Sequence, residues 1–190
     1  MQKTYIPSIN AQTDKNFMIG LVVNEQHYDS IRKEIEPSIK IVPFYNEKMV
    51  SFYMLPTRGG GYKNYVISNN INIQTRHDCD DIMEKDYIKY IHQLYKENKN
   101  KYDDFILTFF PTKLDIVTSK EYEYTDKNCT MFSTLIQKKV RHSIMDVKHA
   151  WLPQITPNVI YIKERYVKLV VHENNSYSKI YPNDVLIATD

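Results

Sequence analysis

The chain has 190 residues, enough to bury a core in one large domain or two small ones. With 42% apolar and 25% charged residues it is no disordered tail, and a net charge of +2 is too near zero to argue for nucleic acid or a membrane on charge alone. Cys79 and Cys129 stand far apart, which excludes a disulfide framework and a CxxC metal site, and sixteen tyrosines against four glycines carry the bias of AT-rich codons.

In chain order, residues 1–16 are polar and read as an irregular arm, without the apolar core of a secretion signal. No stretch is long enough to span a bilayer, so an intracellular protein is expected. Phe17 to Val23 is a buried strand, and Asn24 to Glu36 is a helix with Tyr28, Ile31 and Ile35 on one face, stopped by Pro37. Ile39 to Tyr45 and Met49 to Leu55 read as a hairpin turning at Asn46, Glu47 and Lys48. Arg58 to Lys63, RGGGYK, lacks the spacing of a phosphate-binding loop and reads as a flexible connection before a strand over Tyr65 to Ile73.

Met83, Tyr87, Ile88, Ile91, Leu94 and Tyr95 then recur at helical spacing, with Asp78 or Asp80 as the cap and Asp81 and Glu84 against the positive end of the dipole. Phe105 to Phe110, FILTFF, is apolar on both faces and belongs inside a covered sheet. Lys113 to Thr118 is a short continuation and Glu121 to Asn128 a polar loop. Phe132, Leu135, Ile136 and Val140 fit a second helix, or a helix running into a strand at Ile144 to Val147. Past Pro153, Asn158 to Ile162, Arg165 to His172 and Val185 to Ala188 alternate like strands, with Glu173 to Ser178 as a hairpin tip. The expected fold is α/β, a mixed sheet flanked by helices over residues 1–150, with a small β-rich part over 151–190.

Three groups of residues could carry chemistry. His77, Asp78, Cys79, Asp80 and Asp81 are the densest set of ligand-type side chains, but their local spacing matches no metal site and a helix start accounts for the acids, so no metal and no cofactor are expected. Asp115, Glu121 and Glu123 suggest a divalent-metal nuclease, an alternative weakened by the lack of a carboxylate-x-lysine pair. Lys138, Lys139, Arg141, His142, Lys148 and His149 are the one basic concentration; on a helix, Lys138, Arg141 and His142 share a face that can touch phosphate. No catalytic triad can be assembled from the six histidines.

The order of a strand at Met49 to Leu55, a helix around Tyr87 to Lys96, the segment FILTFFPTKLDIVTSKEY and then FSTLIQKKVRHSIMDVKHAWLPQI resembles the fifth, jaw-bearing subunit of multisubunit RNA polymerases. Thr118, Ser119 and Lys120, and His149 to Pro153, occupy corresponding places, and the short tail is closest to the small poxvirus-type subunit. The Asp-Pro-Val-Ala-Arg-Tyr segment of the cellular family is absent after Ile155. The resemblance implies a non-catalytic subunit of a viral DNA-directed RNA polymerase, in the host cytoplasm and virion. Trp151, Leu152 and Tyr166 would bind the largest subunit, and Lys138, Lys139 and Arg141 would contact downstream DNA. A viral interaction protein that binds a host factor is the remaining alternative.

Overall fold

The computed structural model describes residues 4–45, 60–78, 80–124, 132–146, 149–171, 180 and 184–187. In chain order they form α1 (Tyr5–Asn10), β1 (Met18–Val23), α2 (Glu25–Glu34), β2 (Lys40–Tyr45), α3 (Gly60–Ser68), β3 (Ile73–Thr75), β4 (Ile82–Met83), α4 (Tyr87–Asn98), β5 (Asp104–Phe109), β6 (Thr112–Asp115), β7 (Lys120–Glu123), β8 (Phe132–Gln137), a 3₁₀ helix (His149–Gln154), β9 (Val159–Ile162) and β10 (Val167–Val171). The fold is α/β. None of the described helices is long and apolar enough to cross a membrane.

β1 and β2 pair in parallel, Met18 opposite Lys40 and Val23 opposite Tyr45. Parallel neighbours need a crossover, and α2 supplies it. The Asn24 side chain accepts from the Gln26 N–H at the helix start, and the Arg32 guanidinium donates to the carbonyls of Ile35 and Pro37 beyond its end. Gly20 lets α3 approach β1 closely, since a Cβ there would lie 2.8 Å from the Tyr62 ring and 3.2 Å from that of Phe44. Burial pushes the Tyr62 hydroxyl up to about 12.

A second sheet has the order β3-β8-β5-β9, with β8 antiparallel to both β3 and β5 and β9 parallel to β5. The FILTFF strand is therefore central and buried on both faces, as its continuous apolar run requires. Phe105, Leu107 and Phe109 join Tyr87, Ile91 and Leu94 of α4 in the larger core, while Ile106 turns the other way onto Leu135, Ile144 and Leu152. The third sheet, β4-β10-β6-β7, pairs β10 parallel to β6 and antiparallel to β4. Beyond residue 150, β9 and β10 are hydrogen-bonded partners of β5 and β6 that precede it. A buried Lys113–Asp184 ion pair of 2.7 Å ties the segment near the C-terminus to β6.

Several expectations need correction. The polar N-terminal stretch contains α1, whose Tyr5, Ile6 and Ile9 are buried; its polar residues mislead because Gln12 spends them on structure, donating to the carbonyls of Ser8 and Glu84 and accepting from the Ile88 N–H. The glycine run opens α3, and the strand expected over Tyr65 to Ile73 shrinks to β3 after a helix ending at Ser68. The loop expected at Glu121 includes β7. The helix expected from Phe132 is β8, because Phe132, Leu135 and Ile136 serve opposite faces of a strand buried on both sides, and Ser133 and Thr134 find hydroxyl partners in Thr108 and Thr75. The strand at Met49 to Leu55 and the tip at Glu173 to Ser178 lie outside the described residues.

Candidate functional site

α4 begins at Tyr87, with Asp86 at its N-cap and no side-chain cap hydrogen bond, so neither Asp78 nor Asp80 caps it. The acids between β3 and β4 need another explanation. Because β8 is antiparallel to both β3 and β5, β3 runs parallel to β5 and β9, and the carboxyl ends of these three strands share one edge of the sheet. Ligands of α/β proteins bind outside such an edge, and the segment Arg76 to Asp81 leaves from it.

The backbone of this acidic loop is fixed at several points. The His77 Nδ1–H donates to the Asp78 carbonyl at 2.9 Å, which sets the tautomer, and the Asp81 N–H reaches the same carbonyl at 3.3 Å. From α1's flank, the Thr4 hydroxyl donates to the Asp80 carbonyl at 3.0 Å. Asp81 is 2% exposed, and its Oδ1 accepts the Val170 N–H of β10 at 3.0 Å. Asp81 is therefore an inward anchor, while the side chains of Asp78 and Asp80 remain partly exposed.

Like charges crowd this loop. Burial pushes the Asp81 carboxyl up to about 8, with Asp80 and Asp78 adding to the effect against the Val170 hydrogen bond. Burial also holds Asp78 above the usual carboxylate range, opposed by the neighbouring Arg76 guanidinium and reinforced by Asp80. Burial lowers the His77 imidazole to about 4, leaving it neutral at pH 7. A cation brought to the partly exposed carboxyls of Asp78 and Asp80 would relieve this repulsion. Among the described residues no group of three or more His, Cys, Asp or Glu is placed to share an ion, so the loop is not a closed metal cage. Hard oxygen donors of this kind suit a divalent cation whose remaining ligands come from water and a substrate phosphate. Cys79 lies outside the described residues.

The other expected residues are placed as follows. Lys138 pairs with Asp103 at 2.9 Å and Arg141 with Asp104, in the turn after β8; Lys139 is exposed beside them. No helix there gives Lys138, Arg141 and His142 a common face, because the turn winds around the buried Gln137 side chain, which accepts from the N–H groups of Arg141 and His142 and donates to the His142 carbonyl. Trp151 is half exposed on the 3₁₀ helix, while Leu152 is buried in the smaller core. Tyr166 stacks on Tyr90 with ring centroids 4.4 Å apart. The nuclease trio is occupied: Asp115 accepts from Val117, Thr118 and the Thr118 hydroxyl, Glu121 accepts from Thr112 and pairs with Lys168, and Glu123 pairs with Arg165.

Residues 1–182 match a family model described as "Putative rhamnosyl transferase". No curated protein matches the chain. The family match replaces the RNA polymerase subunit expected from the order of elements, and with it the viral transcription role; that resemblance leaned on a helix at Phe132 where β8 runs. It equally overturns the nuclease and host-factor alternatives.

Proposed function

Because the chain belongs to this rhamnosyl transferase family, we propose that it is a glycosyltransferase that moves a deoxyhexose from a nucleoside diphosphate donor to an acceptor hydroxyl, with the acidic loop as its donor site. In this reaction the acceptor oxygen attacks the anomeric carbon and loses its proton. The bond from that carbon to the diphosphate breaks, and the electron pair leaves with the diphosphate. The demand on the protein is concentrated at the leaving group, where negative charge accumulates.

Asp78 and Asp80 are the residues that would hold a divalent cation, at the carboxyl edge of β3, β5 and β9. When bound, such a cation supplies charge neutralisation for the departing diphosphate. Arg76, beside Asp78, adds positive charge at the same edge. Asp81 keeps the loop seated on β10, and Thr4 braces it from the N-terminal side. The observation that carries the reading is that Asp78 and Asp80, both partly exposed, stand at this edge although α4 begins only at Tyr87, while Asp81 beside them is buried against β10.

The test is release of nucleoside diphosphate from a nucleoside-diphosphate-activated rhamnose in the presence of magnesium or manganese, with a mixture of saccharide acceptors. Turnover that requires the metal and is lost in Asp78→Ala and Asp80→Ala supports the proposal. Absence of turnover with every nucleotide form of the donor, or turnover untouched by both substitutions, overturns it.

A further inference from the structure

Between β3 and the partly exposed Asp78 and Asp80 lies a side chain whose two nitrogens are treated differently. The His77 ring sits among Tyr5 of α1, Phe132 of β8 and Tyr87 of α4, with ring centroids 5.5, 5.4 and 6.5 Å away. Its Nδ1 meets the Asp78 carbonyl at 2.9 Å, whereas its Nε2 is buried with no hydrogen-bond partner among the described residues. Leaving a buried acceptor unsatisfied costs free energy, on the order of 1–3 kcal/mol. A phenylalanine would fill an aromatic pocket without that penalty, so a histidine here needs a reason beyond packing.

The carbonyl it grips supplies one. The Asp78 carbonyl accepts both from His77 Nδ1 and from the Asp81 N–H. The ring is anchored from three elements, so the direction of its N–H is set by the core and not by the loop. We propose that His77 is a positioning residue of the donor site: through Nδ1–H alone it fixes the backbone that carries Asp78 and Asp80, and Nε2 has no part in this. The assignment rests on the glycosyltransferase reading for what the carboxylates hold, but the geometric claim about the loop does not.

Asparagine and glutamine separate the two nitrogens, because the asparagine amide nitrogen falls near the place of Nδ1 and the glutamine amide nitrogen near that of Nε2. Two measurements on His77→Asn, His77→Gln and His77→Phe test the proposal. The first is hydrogen exchange at the Asp81 amide without metal or nucleotide. Protection kept in His77→Asn and reduced at least tenfold in His77→Gln is expected; equal protection in the two, or better protection in the glutamine variant, overturns the proposal. The second is titration of manganese with a nucleoside diphosphate, followed by the electron spin resonance of free manganese. Affinity within about threefold of the parent in His77→Asn and at least tenfold weaker in His77→Gln and His77→Phe is expected, and equal affinity in all four proteins overturns it. Should the parent chain bind no manganese nucleotide, the transferase reading fails, and the exchange result still decides the role of His77. Melting temperature is recorded for each variant, and should His77→Phe fail to fold, the asparagine and glutamine pair carries both measurements.

Discussion

The acidic loop at residues 76–81 and the basic turn at residues 138–142 are both dense in charge, yet they are built in opposite ways. In the turn after β8, Lys138 has Asp103 and Arg141 has Asp104 at the start of β5, with Lys139 exposed beside them. These are exposed pairs, which hold two strands' ends together loosely and leave little net field. In the loop Asp80 repels Asp78 while Arg76 attracts it, and the backbone is held by His77, Thr4 and the Asp81 amide, with Asp81 itself gripping β10. Charge cancelled by neighbours is scaffolding. Acids gathered at the carboxyl edge of a sheet, with Arg76 beside Asp78, mark a candidate site.

Substitution separates the two regions most sharply. Asp78→Ala and Asp80→Ala are each expected to weaken binding of manganese nucleoside diphosphate about 100-fold in calorimetric titration, since each removes a charged oxygen ligand of the cation. The same titration on Lys138→Ala with Arg141→Ala is expected to differ from the parent by less than about twofold. A reversed ranking would move the site to the basic turn.

The next effect is on stability against pH, measured by denaturant unfolding without metal. His77 has a folded value of about 4, below its ordinary 6.5, so the unfolded chain binds the extra proton in this interval. Its contribution is complete above pH 6.5 and is lost as pH falls toward 4, on the order of 2–3 kcal/mol. His77→Asn removes that loss. Asp81 has the opposite sign: its folded value of about 8 lies above the ordinary 3.8, so its contribution is present at low pH and declines as pH climbs to 8. Between pH 6.5 and 8 the His77 contribution is flat, so a slope there that vanishes in Asp81→Asn belongs to Asp81. The smallest effect is expected in the basic turn, where Lys138→Ala leaves the melting temperature within about one degree of the parent at any of these pH values.

The sequence made the same distinction only in part. The strand at Phe17 to Val23, the helix after Asn24 and the central FILTFF strand were legible because each shows one periodicity and one clear stop. Phe132, Leu135, Ile136 and Val140 were not: their spacing fits a helix face, and only the burial of all six residues of β8 decides for a strand. Gly60 and Gly61 concealed the start of α3, since glycine argues for a loop until Tyr62 and Val66 find something to pack on. The acidic cluster was visible as a cluster, but a helix expected from Met83 offered it an ordinary purpose. β4 occupies Ile82 and Met83 instead, and that short strand, paired with β10, is what sets the acids apart from α4.

The most direct measurement is a crystal of the protein soaked with manganese and a nucleoside diphosphate, with the metal located by its anomalous scattering. The account predicts a manganese peak at about 2 Å from a carboxylate oxygen of Asp78 or Asp80, with the diphosphate on its far side. A peak bound elsewhere on the chain, or a nucleotide seated away from the carboxyl edge of β3, β5 and β9, would contradict it.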